Sequence, residues 1–410
     1  MKRRVLIVLL TILAGSVSAW AKEGDKPNKL AYWYCIGMNW LDNFCLNEVD
    51  TTYIGLPDNE WRIAFTNSTL GIHSTYSTNN PLDDIPPELP QMGDVTLRSL
   101  TTPSLDLGFQ VGLRSVNFGY TWDALHAYSQ KLNFSLGGKS WGVELLRQKS
   151  SNIRTGVEIK NWGITNQFLP DNIIHITNTN LTAWYALNSP HYSHNAAIKQ
   201  SYIQKKTAGS LLLSLSYLNT DMSFNNDTTF KDLVSTLFLG NVQKMVTHQV
   251  AVGLGYGINY TPNNGKVLIH FSAYAQAVFY SINYVSYVDT LYHSHMAYPS
   301  YTIKPKTPVH FTGNMRAAVS WEINKWVHLN ARAQVDNIRF DAQTEKGKAF
   351  LSNWNWQVYL TIAARIGVGE KKRHKIIEEG NDGNFIPFEH KAPSKTRMPQ
   401  WITGYFFSPT

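Results

Sequence analysis

The sequence predicts an all-β fold, an antiparallel transmembrane β-barrel of about 12 strands with a short N-terminal periplasmic segment and a C-terminal tail. Three observations lead to this prediction. Polar and apolar residues alternate with a period of two, aromatic residues gather where the alternating segments end, and no long apolar run follows the first 21 residues. Because a membrane-spanning helix needs roughly 20 consecutive apolar residues, strands are predicted to cross the membrane.

The stretch KWVHLNARAQVDNIRF, residues 325–340, shows the alternation most clearly. Apolar side chains occupy every second position from Val327 to Val335, and polar side chains occupy the positions between them, from His328 to Asp336. Successive side chains of a strand point to opposite faces of the sheet, so this segment has one apolar and one polar face. We predict that the apolar face contacts lipid and that the polar face lines the barrel lumen.

Further segments alternate in the same way over about the 9 to 11 residues that a tilted strand needs to cross a membrane. These segments are residues 103–113, 114–122, 131–145, 207–218, 246–260, 265–280, 308–323 and 354–367. Adjacent Gly137 and Gly138 predict a hairpin turn with positive φ angles. Residues 263–265 and 322–325 predict short turns, and longer polar connections predict loops at the opposite end of the barrel.

A soluble periplasmic β protein is the alternative fold. Aromatic residues at the segment ends, such as Trp122, Phe279, Trp321 and Trp354, are typical of the girdles at the two membrane interfaces. The segments are also longer than the roughly five or six residues that are usual for strands of soluble proteins. These features favour the barrel, and a requirement for detergent during extraction would exclude the soluble alternative.

Four regions are predicted along the chain. Residues 1–21 resemble a cleaved signal peptide, because basic residues precede a short apolar core and Ala19-Trp20-Ala21 matches a cleavage site. Residues 22–60 form an N-terminal periplasmic segment, residues 61–369 the barrel, and residues 370–410 a polar and aromatic tail. Export through the signal peptide indicates a location in the bacterial outer membrane.

The two cysteines of the chain, Cys35 and Cys45, lie close together near the predicted mature N-terminus. In an oxidising compartment they could close a short disulfide loop, and they could equally remain free thiols. The sequence leaves both alternatives open.

A set of charged and histidine side chains falls on the predicted lumen face. Such residues pair with each other and fill a barrel, or they line a water channel and bias ion passage. Structural pairing is the commoner use. The predicted lumen residues are Glu144, His270, Arg316, Glu322, His328, Arg332, Asp336 and Arg365.

An enzyme acting on lipid or lipopolysaccharide is the main alternative function. A hydrolase needs a nucleophile, a base and an oxyanion site in one place. His270 and His328 are candidate bases, and Ser272 and Ser320 are candidate nucleophiles, but the sequence does not bring them together, so no catalytic residue is assigned.

No cofactor or metal is predicted. The histidine pairs at 191 and 194 and at 293 and 295 lack the further ligands that a metal site needs, so they are expected to be exposed loop histidines. Three of the eight net positive charges belong to the predicted signal peptide, and the remaining +5 is a modest basic excess of the kind that ordinary surface charge or lipid phosphates explain. No nucleic-acid partner is expected. The expected partners are outer-membrane lipids and other envelope proteins.

Two stretches carry a family resemblance: DTTYIGLPDNEWRIAF, residues 50–65, and AIKQSYIQKKTAGSLLLSLSY, residues 197–217. The chain resembles, over roughly residues 50–369, a Bacteroidetes family of predicted outer-membrane β-barrels of unknown function. The residues that carry the second motif are Lys205, Lys206, Ala208, Gly209 and Ser210. The resemblance implies export and a barrel, and it implies no known activity. The sequence thus favours a non-enzymatic barrel, either a narrow pore or a structural or adaptor component of the envelope.

Overall fold

In a computed structural model of the protein, most of the described residues belong to one β-barrel. The described residues are 29–78, 95–101, 104–125, 129–138, 140–151, 153–159, 163–168, 174–224, 242–262, 265–287, 301–303, 309–344 and 347–380. The predicted signal peptide lies outside them, as do residues 381–410 of the predicted tail.

Twelve antiparallel strands close the barrel in the described part of the chain. In order around the ring they are β2 (Trp61–Thr78), β4 (Asp106–Leu113), β5 (Val116–Asp123), β6 (Ser129–Gly137), β7 (Trp141–Ser150), β10 (Ile174–Ala186), β12 (Ala208–Phe224), β13 (Val242–Tyr260), β14 (Val267–Tyr287), β16 (His310–Glu322), β17 (Val327–Thr344) and β18 (Gly347–Ile366). The last strand pairs with the first along the whole length of β2. The prediction of a barrel of about 12 strands is confirmed.

Six shorter strands complete the sheet pairings of the described residues. They are β1 (Ile54–Gly55), β3 (Val95–Thr101), β8 (Ile153–Ile159), β9 (Ile164–Phe168), β11 (Ile203–Gln204) and β15 (Tyr301–Ile303). The hairpin of β5 and β6 is short, and beyond it β3 pairs directly with β8. The wall therefore continues past this hairpin as a narrower sheet of β2, β3, β8 and β9.

The two ends of the barrel differ in their connections. The chain enters β2 and leaves β18 at one end, which we call the terminal end; the other is the distal end. At the terminal end, short connections of two to six residues join β4 to β5, β6 to β7, β13 to β14 and β16 to β17, as the sequence predicts for three of the four. One connection at this end, residues 187–207 between β10 and β12, is much longer, and we call it the plug.

The distribution of side chains between outside and inside confirms the alternation predicted for β17. His328, Arg332 and Asp336 are buried, whereas Leu329 and Ala331 on the other parity are partly or fully exposed. Large apolar residues cover the outer surface of the other strands in the same way. An apolar exterior around a polar interior is the arrangement of a barrel that faces lipid outside and water or protein inside.

The hairpin of β6 and β7 forms where the two adjacent glycines predict it, but for a different reason. Neither Gly137 nor Gly138 has a positive φ angle, so the expected turn geometry is wrong. A Cβ atom on Gly137 would instead collide with the amide group of Asn195 in the plug, and one on Gly138 would lie 2.8 Å from Nε1 of Trp141. These glycines are required for close packing.

Two longer helices cover the terminal end, α1 (Lys29–Leu46) and α3 (Glu370–Gly380), and they pack against each other. The helix α1 buries Cys45 in an apolar cluster with Ile54, Ala197 and Tyr202, which lies between the helix and the plug. No helix among the described residues has the length and apolarity that crossing a membrane requires.

The disulfide considered for Cys35 and Cys45 does not form. Both residues are free, buried thiols on the single helix α1. Ten residues of helix separate them by about 15 Å at 1.5 Å per residue. A disulfide needs Cα atoms within about 7 Å of each other, so the helix itself excludes this bond.

Candidate functional site in the barrel lumen

The structure places all eight predicted lumen residues on the inner face of the barrel. Seven are buried, and Glu322, at the terminal end of β16, is 23% exposed in its side chain. They extend over five strands, because each inward position recurs at every second residue of each strand. Their contacts divide them into an ion-pair network around the plug and a group of histidine and amide hydrogen bonds.

Glu144 on β7 is the centre of the ion-pair network. Its carboxylate accepts hydrogen bonds from Lys199 Nζ and from Arg316 Nη1, both at 2.7 Å. The three side chains are at most 8% exposed. Because Lys199 belongs to the plug and Arg316 to the opposite wall, on β16, Glu144 connects three parts of the barrel.

The plug enters the lumen and includes the short helix α2 (His194–Ile198), whose five residues are all buried. Wall side chains bind its backbone carbonyl groups. Arg332 donates to the carbonyl oxygen of Ile198 at 3.3 Å, Arg365 donates to that of Gln200 at 3.3 Å, and Asn259 donates to that of Ser193 at 2.8 Å. These bonds satisfy polar groups of an irregular segment that would otherwise be buried at a cost.

Arg365 and His328 reach the plug from the last two strands of the barrel. Arg365 also pairs with Glu322 at 2.9 Å. The Nε2 atom of His328 lies 3.2 Å from Nε of Arg62 and 3.2 Å from Oε1 of Gln200. Both residues therefore join the wall and the plug at the terminal end.

His270 forms a hydrogen-bond chain with two of its neighbours. Its Nε2 atom lies 3.1 Å from Oγ of Ser272, and its Nδ1 atom lies 2.8 Å from Oδ1 of Asn259. This order of hydroxyl, imidazole and amide resembles a catalytic triad. All three side chains are at most 1% exposed, and Asn259 also binds the plug. A substrate therefore has no access to these hydrogen-bonded side chains in this state.

His194 corrects the expectation of exposed loop histidines. It is 1% exposed within the plug and packs edge-on against Trp184 and His270 with ring centroids 4.8 and 5.2 Å apart. His191 is part-exposed and lies 3.6 Å from the carboxylate of Asp50. The pair at 293 and 295 lies outside the described residues, among which no group of metal-binding side chains occurs.

Positive charge exceeds negative charge inside the described part of the lumen. Lys131 and Arg332 both lie over the Tyr359 ring, 3.7 and 4.2 Å from its centroid. Neither has a carboxylate within 4.0 Å among the described residues. Asp336 accepts hydrogen bonds from Asn314 and Gln334.

Two small cavities lie on the distal side of the plug. Asn180, Asp336 and Ile338 line both of them. Most of their other lining side chains are amides or hydroxyls. The lumen beyond the plug thus retains polar space, although the terminal end is filled.

The two stretches singled out in the sequence, residues 50–65 and 197–217, meet at the terminal end. Strand β1 pairs with β11, which brings residues 50–55 beside residues 203–206. Lys205 donates to the carbonyl oxygen of Thr51 at 2.9 Å, and Lys206 lies 4.9 Å from the ring centroid of Tyr53. The lysines therefore fasten the plug to the N-terminal segment.

The small residues of the second stretch support close packing where β12 begins at Ala208. A Cβ atom on Gly209 would collide with the hydroxyl group of Tyr256 on the next strand. The carbonyl group of Gly209 and Oγ of Ser210 accept hydrogen bonds from Asn188 at 2.8 and 2.9 Å. These contacts fix the end of the plug against the wall.

Sequence reasoning did not identify Arg62, Lys131 or Lys199 as lumen residues. The alternation of buried and more exposed residues along β2 and β6 could have identified Arg62 and Lys131, because both occupy inward positions of that alternation. Lys199 lies in the plug, which has no alternation. Its only signal is a connection far longer than the other turns at the same end of the barrel.

The fold and the side-chain distribution define the class of the protein: it is a transmembrane β-barrel with a filled terminal end. A family model described as "Domain of unknown function (DUF4421)" matches residues 48–365, and the chain belongs to this family. No curated protein matches the chain.

Several solved outer-membrane barrels are similar to the chain at low identity. The outer membrane protease OmpT from Escherichia coli is 8% identical, with 76% of this chain and 97% of that chain covered and a TM-score of 0.32. The outer membrane protein OprG from Pseudomonas aeruginosa is 9% identical, with 75% and 98% covered and a TM-score of 0.27. The toluene transporter TodX from Pseudomonas putida is 7% identical, with 78% and 97% covered and a TM-score of 0.25.

Proposed function

We propose that the protein is a non-enzymatic outer-membrane barrel that is closed by its own plug and serves as a structural or adaptor component of the cell envelope. The observation that carries this proposal is the insertion of residues 187–207 into the lumen. The buried helix α2 and the ion pairs of Lys199 and Glu144 occupy the space through which a solute would pass. Barrels of about this strand number leave little free lumen even before such a segment is added.

The proposed location is the outer membrane of a bacterium, with the terminal end toward the periplasm. Four of the five strand connections at the terminal end have six residues or fewer, whereas four of the six at the distal end have 17 or more. Short turns on the periplasmic side and longer loops outside are typical of this orientation. The resemblance of residues 1–21 to a signal peptide and of the two motifs to a Bacteroidetes family supports export to that membrane. Outer-membrane lipids are then the partners of the apolar exterior.

An adaptor role is supported by the outer surface of α1. This helix covers the terminal end and exposes Trp33, Trp40 and Phe44, with 51 to 60% of each residue accessible. Large aromatic side chains in such numbers on one short helix are unusual for a surface without a partner. A periplasmic envelope protein is the proposed partner of this surface.

Conductance in a planar bilayer tests whether the barrel is closed. Folded wild-type protein is expected to be silent, whereas a variant with residues 191–203 replaced by a Gly-Ser linker of equal length is expected to conduct. Lys325→Gln is the matched control, because Lys325 is exposed in the turn between β16 and β17, outside the plug, and its replacement leaves the lumen filled.

Steady conductance by the wild type would contradict the closed barrel and would favour a narrow pore. In that case Arg332→Ala and Asp336→Ala are expected to change the ion preference, because both side chains lie in the lumen. Unchanged ion preference would show that the path avoids this strand.

A hydrolase is the second candidate, and the hydrogen-bond chain of Ser272, His270 and Asn259 is the observation that favours it. Its burial requires that the plug withdraw before a lipid ester could reach Ser272. Labelling with a fluorophosphonate tests this candidate. Labelling of the linker variant that is lost when Ser272→Ala is added would support the hydrolase. Absence of labelling in the linker variant with Ser272 intact would exclude it.

A further inference from the structure

A small cavity lies at the terminal end, between the plug and the barrel wall. Arg62, Arg114, Lys199 and Arg365 line it, and Glu60 is the one carboxylate among its described lining residues. The cavity is therefore surrounded mainly by positive charge.

Most of these charges are balanced by partners beyond the cavity lining. The ion pairs join Arg114 to Asp42 at 2.6 Å, Lys199 to Glu144 at 2.7 Å, Arg365 to Glu322 at 2.9 Å, and Glu60 to Arg373 at 3.3 Å. The carboxylate of Glu60 is thus engaged with Arg373, and it does not neutralise the remaining cation of the lining.

That remaining cation is Arg62, whose hydrogen-bond acceptors are all neutral. Its guanidinium donates to Nε2 of His328 at 3.2 Å, Oε1 of Gln110 at 3.2 Å and Oδ1 of Asn117 at 3.4 Å. It is 7% exposed, and no described carboxylate lies within 4.0 Å of it. A buried charge without a counter-ion is costly, so a bound anion would stabilise this region.

Two further donor groups of the cavity lining have no partner. Oγ of Ser201 and Nε of Arg365 are buried and make no hydrogen bond within the described part of the chain. Arginine and hydroxyl donors are the groups that commonly bind phosphate oxygens. The lining therefore offers both an excess charge and unused donors.

We propose that this cavity binds a phosphate-type oxyanion through Arg62, Arg365 and Ser201. Arg62 and Arg365 belong to the wall, on β2 and β18, whereas Ser201 belongs to the plug. The bound anion would therefore hold the plug to the wall. The site follows from the cavity and its donors and does not depend on whether the barrel conducts.

Equilibrium dialysis of folded, detergent-purified protein with radiolabelled inorganic phosphate at constant ionic strength tests the site. Saturable binding is expected for the wild type. Arg62→Gln is expected to weaken it about tenfold or more, since one charge-assisted hydrogen bond is lost. Arg332→Gln is the matched control, because Arg332 is also a buried cation without a carboxylate partner among the described residues and does not line the cavity.

Native mass spectrometry of protein purified from membranes distinguishes the two sources of the phosphate group, free phosphate and a phospholipid headgroup. A retained phospholipid that is lost in Arg62→Gln would assign the same site to a lipid headgroup. If Arg62→Gln fails to fold, as judged by heat-modifiable electrophoretic migration, Ser201→Ala replaces it, with several-fold weaker binding expected. Folded wild type that binds neither form, or a folded variant that binds as tightly as the wild type, would overturn the proposal.

Discussion

Glu144 carries much of the charge balance inside the barrel. Its carboxylate neutralises Lys199 of the plug and Arg316 of the opposite wall, and all three side chains are buried. A buried ion pair contributes little net stability when it forms, but removal of one partner leaves an uncompensated charge. The position of the plug therefore depends strongly on this single residue.

We predict that Glu144→Gln lowers the free energy of unfolding by about 3 to 5 kcal/mol, because two buried cations lose their partner. Chemical unfolding of the detergent-purified protein measures the change. Glu158→Gln is the control, since the pair of Glu158 with Arg98 is partly exposed and is expected to contribute less than about 1 kcal/mol. Equal effects of the two variants would contradict the central role of Glu144.

The two free thiols of α1 give a second prediction at the residue scale. Burial raises the pKa of Cys35 to about 11 and also raises the pKa of Cys45. Because the thiolate is the reactive form, both cysteines should react with maleimide at pH 8 much more slowly in the folded protein than in denaturant. Fast labelling of the folded protein would show that α1 opens readily.

The same shift predicts a dependence of stability on pH. A pKa that is higher in the folded state stabilises the fold below the pKa of the unfolded thiol, near 9, and this contribution is lost as the pH rises to about 11. The free energy of unfolding should fall by up to about 3 kcal/mol over this range. Cys35→Ala is expected to remove that part of the decrease when its pH profile is subtracted from that of the wild type.

At the scale of elements, Asp42 fastens α1 to the barrel. It accepts hydrogen bonds from Arg114 at 2.6 and 2.9 Å and from Arg373 of α3. Arg114 has a φ angle of +48°, a left-handed conformation that is uncommon for an arginine. The carboxylate therefore holds a strained turn, a terminal helix and α1 in one contact.

We predict that Asp42→Asn accelerates amide hydrogen exchange in residues 29–46 at least about tenfold, which corresponds to about 1.4 kcal/mol of local opening. Exchange in the barrel strands should be unchanged. Glu370→Gln is the control, because Glu370 is 68% exposed and lies 3.9 Å from His374 in a solvated pair. Exchange that rises equally in the strands would mean that α1 and the barrel unfold together.

The plug shows how an irregular segment is tolerated inside a membrane barrel. Its backbone carbonyl groups are bound by arginine and asparagine side chains of the wall, and its one lysine in the network is bound by Glu144. Non-helical backbone at membrane depth is stable when protein or water satisfies its polar groups. The polar lumen face is what provides those partners here.

At the scale of the whole molecule, the barrel has its polar residues inside and its apolar residues outside. Leu254 in the middle part of β13 is 57% exposed, and Tyr260 at the terminal end of the same strand is 52% exposed. Comparable exposure at two depths allows the membrane environment to be tested within one strand.

We predict that Leu254→Arg lowers the free energy of unfolding in phospholipid vesicles by about 2 to 4 kcal/mol, whereas Tyr260→Arg lowers it by about 1 kcal/mol or less. The reason is that a charge costs most near the bilayer midplane and least at the interface. Guanidinium titration of the refolded variants measures both. Equal costs at the two positions would contradict a bilayer around this surface.

Much of the barrel follows from the sequence alone. The period of two in β17 is a local property of the backbone, so it identifies the strand and separates Leu329 and Ala331 from His328 and Arg332 without any knowledge of neighbours. The same parity placed all eight predicted lumen residues on the inner face. The approximate strand number follows from the count of such segments.

The tertiary structure decided which of those residues meet. Glu144 and Arg316 are 172 residues apart in the chain, and no local pattern states that their strands face each other across the lumen. It also decided the position of residues 187–207, because a polar segment has the same composition whether water or a polar barrel interior satisfies its hydrogen bonds. Local periodicity determines which face of a strand each side chain occupies. Closure of the barrel determines which side chains meet across the lumen, and the plug is held in place by those side chains.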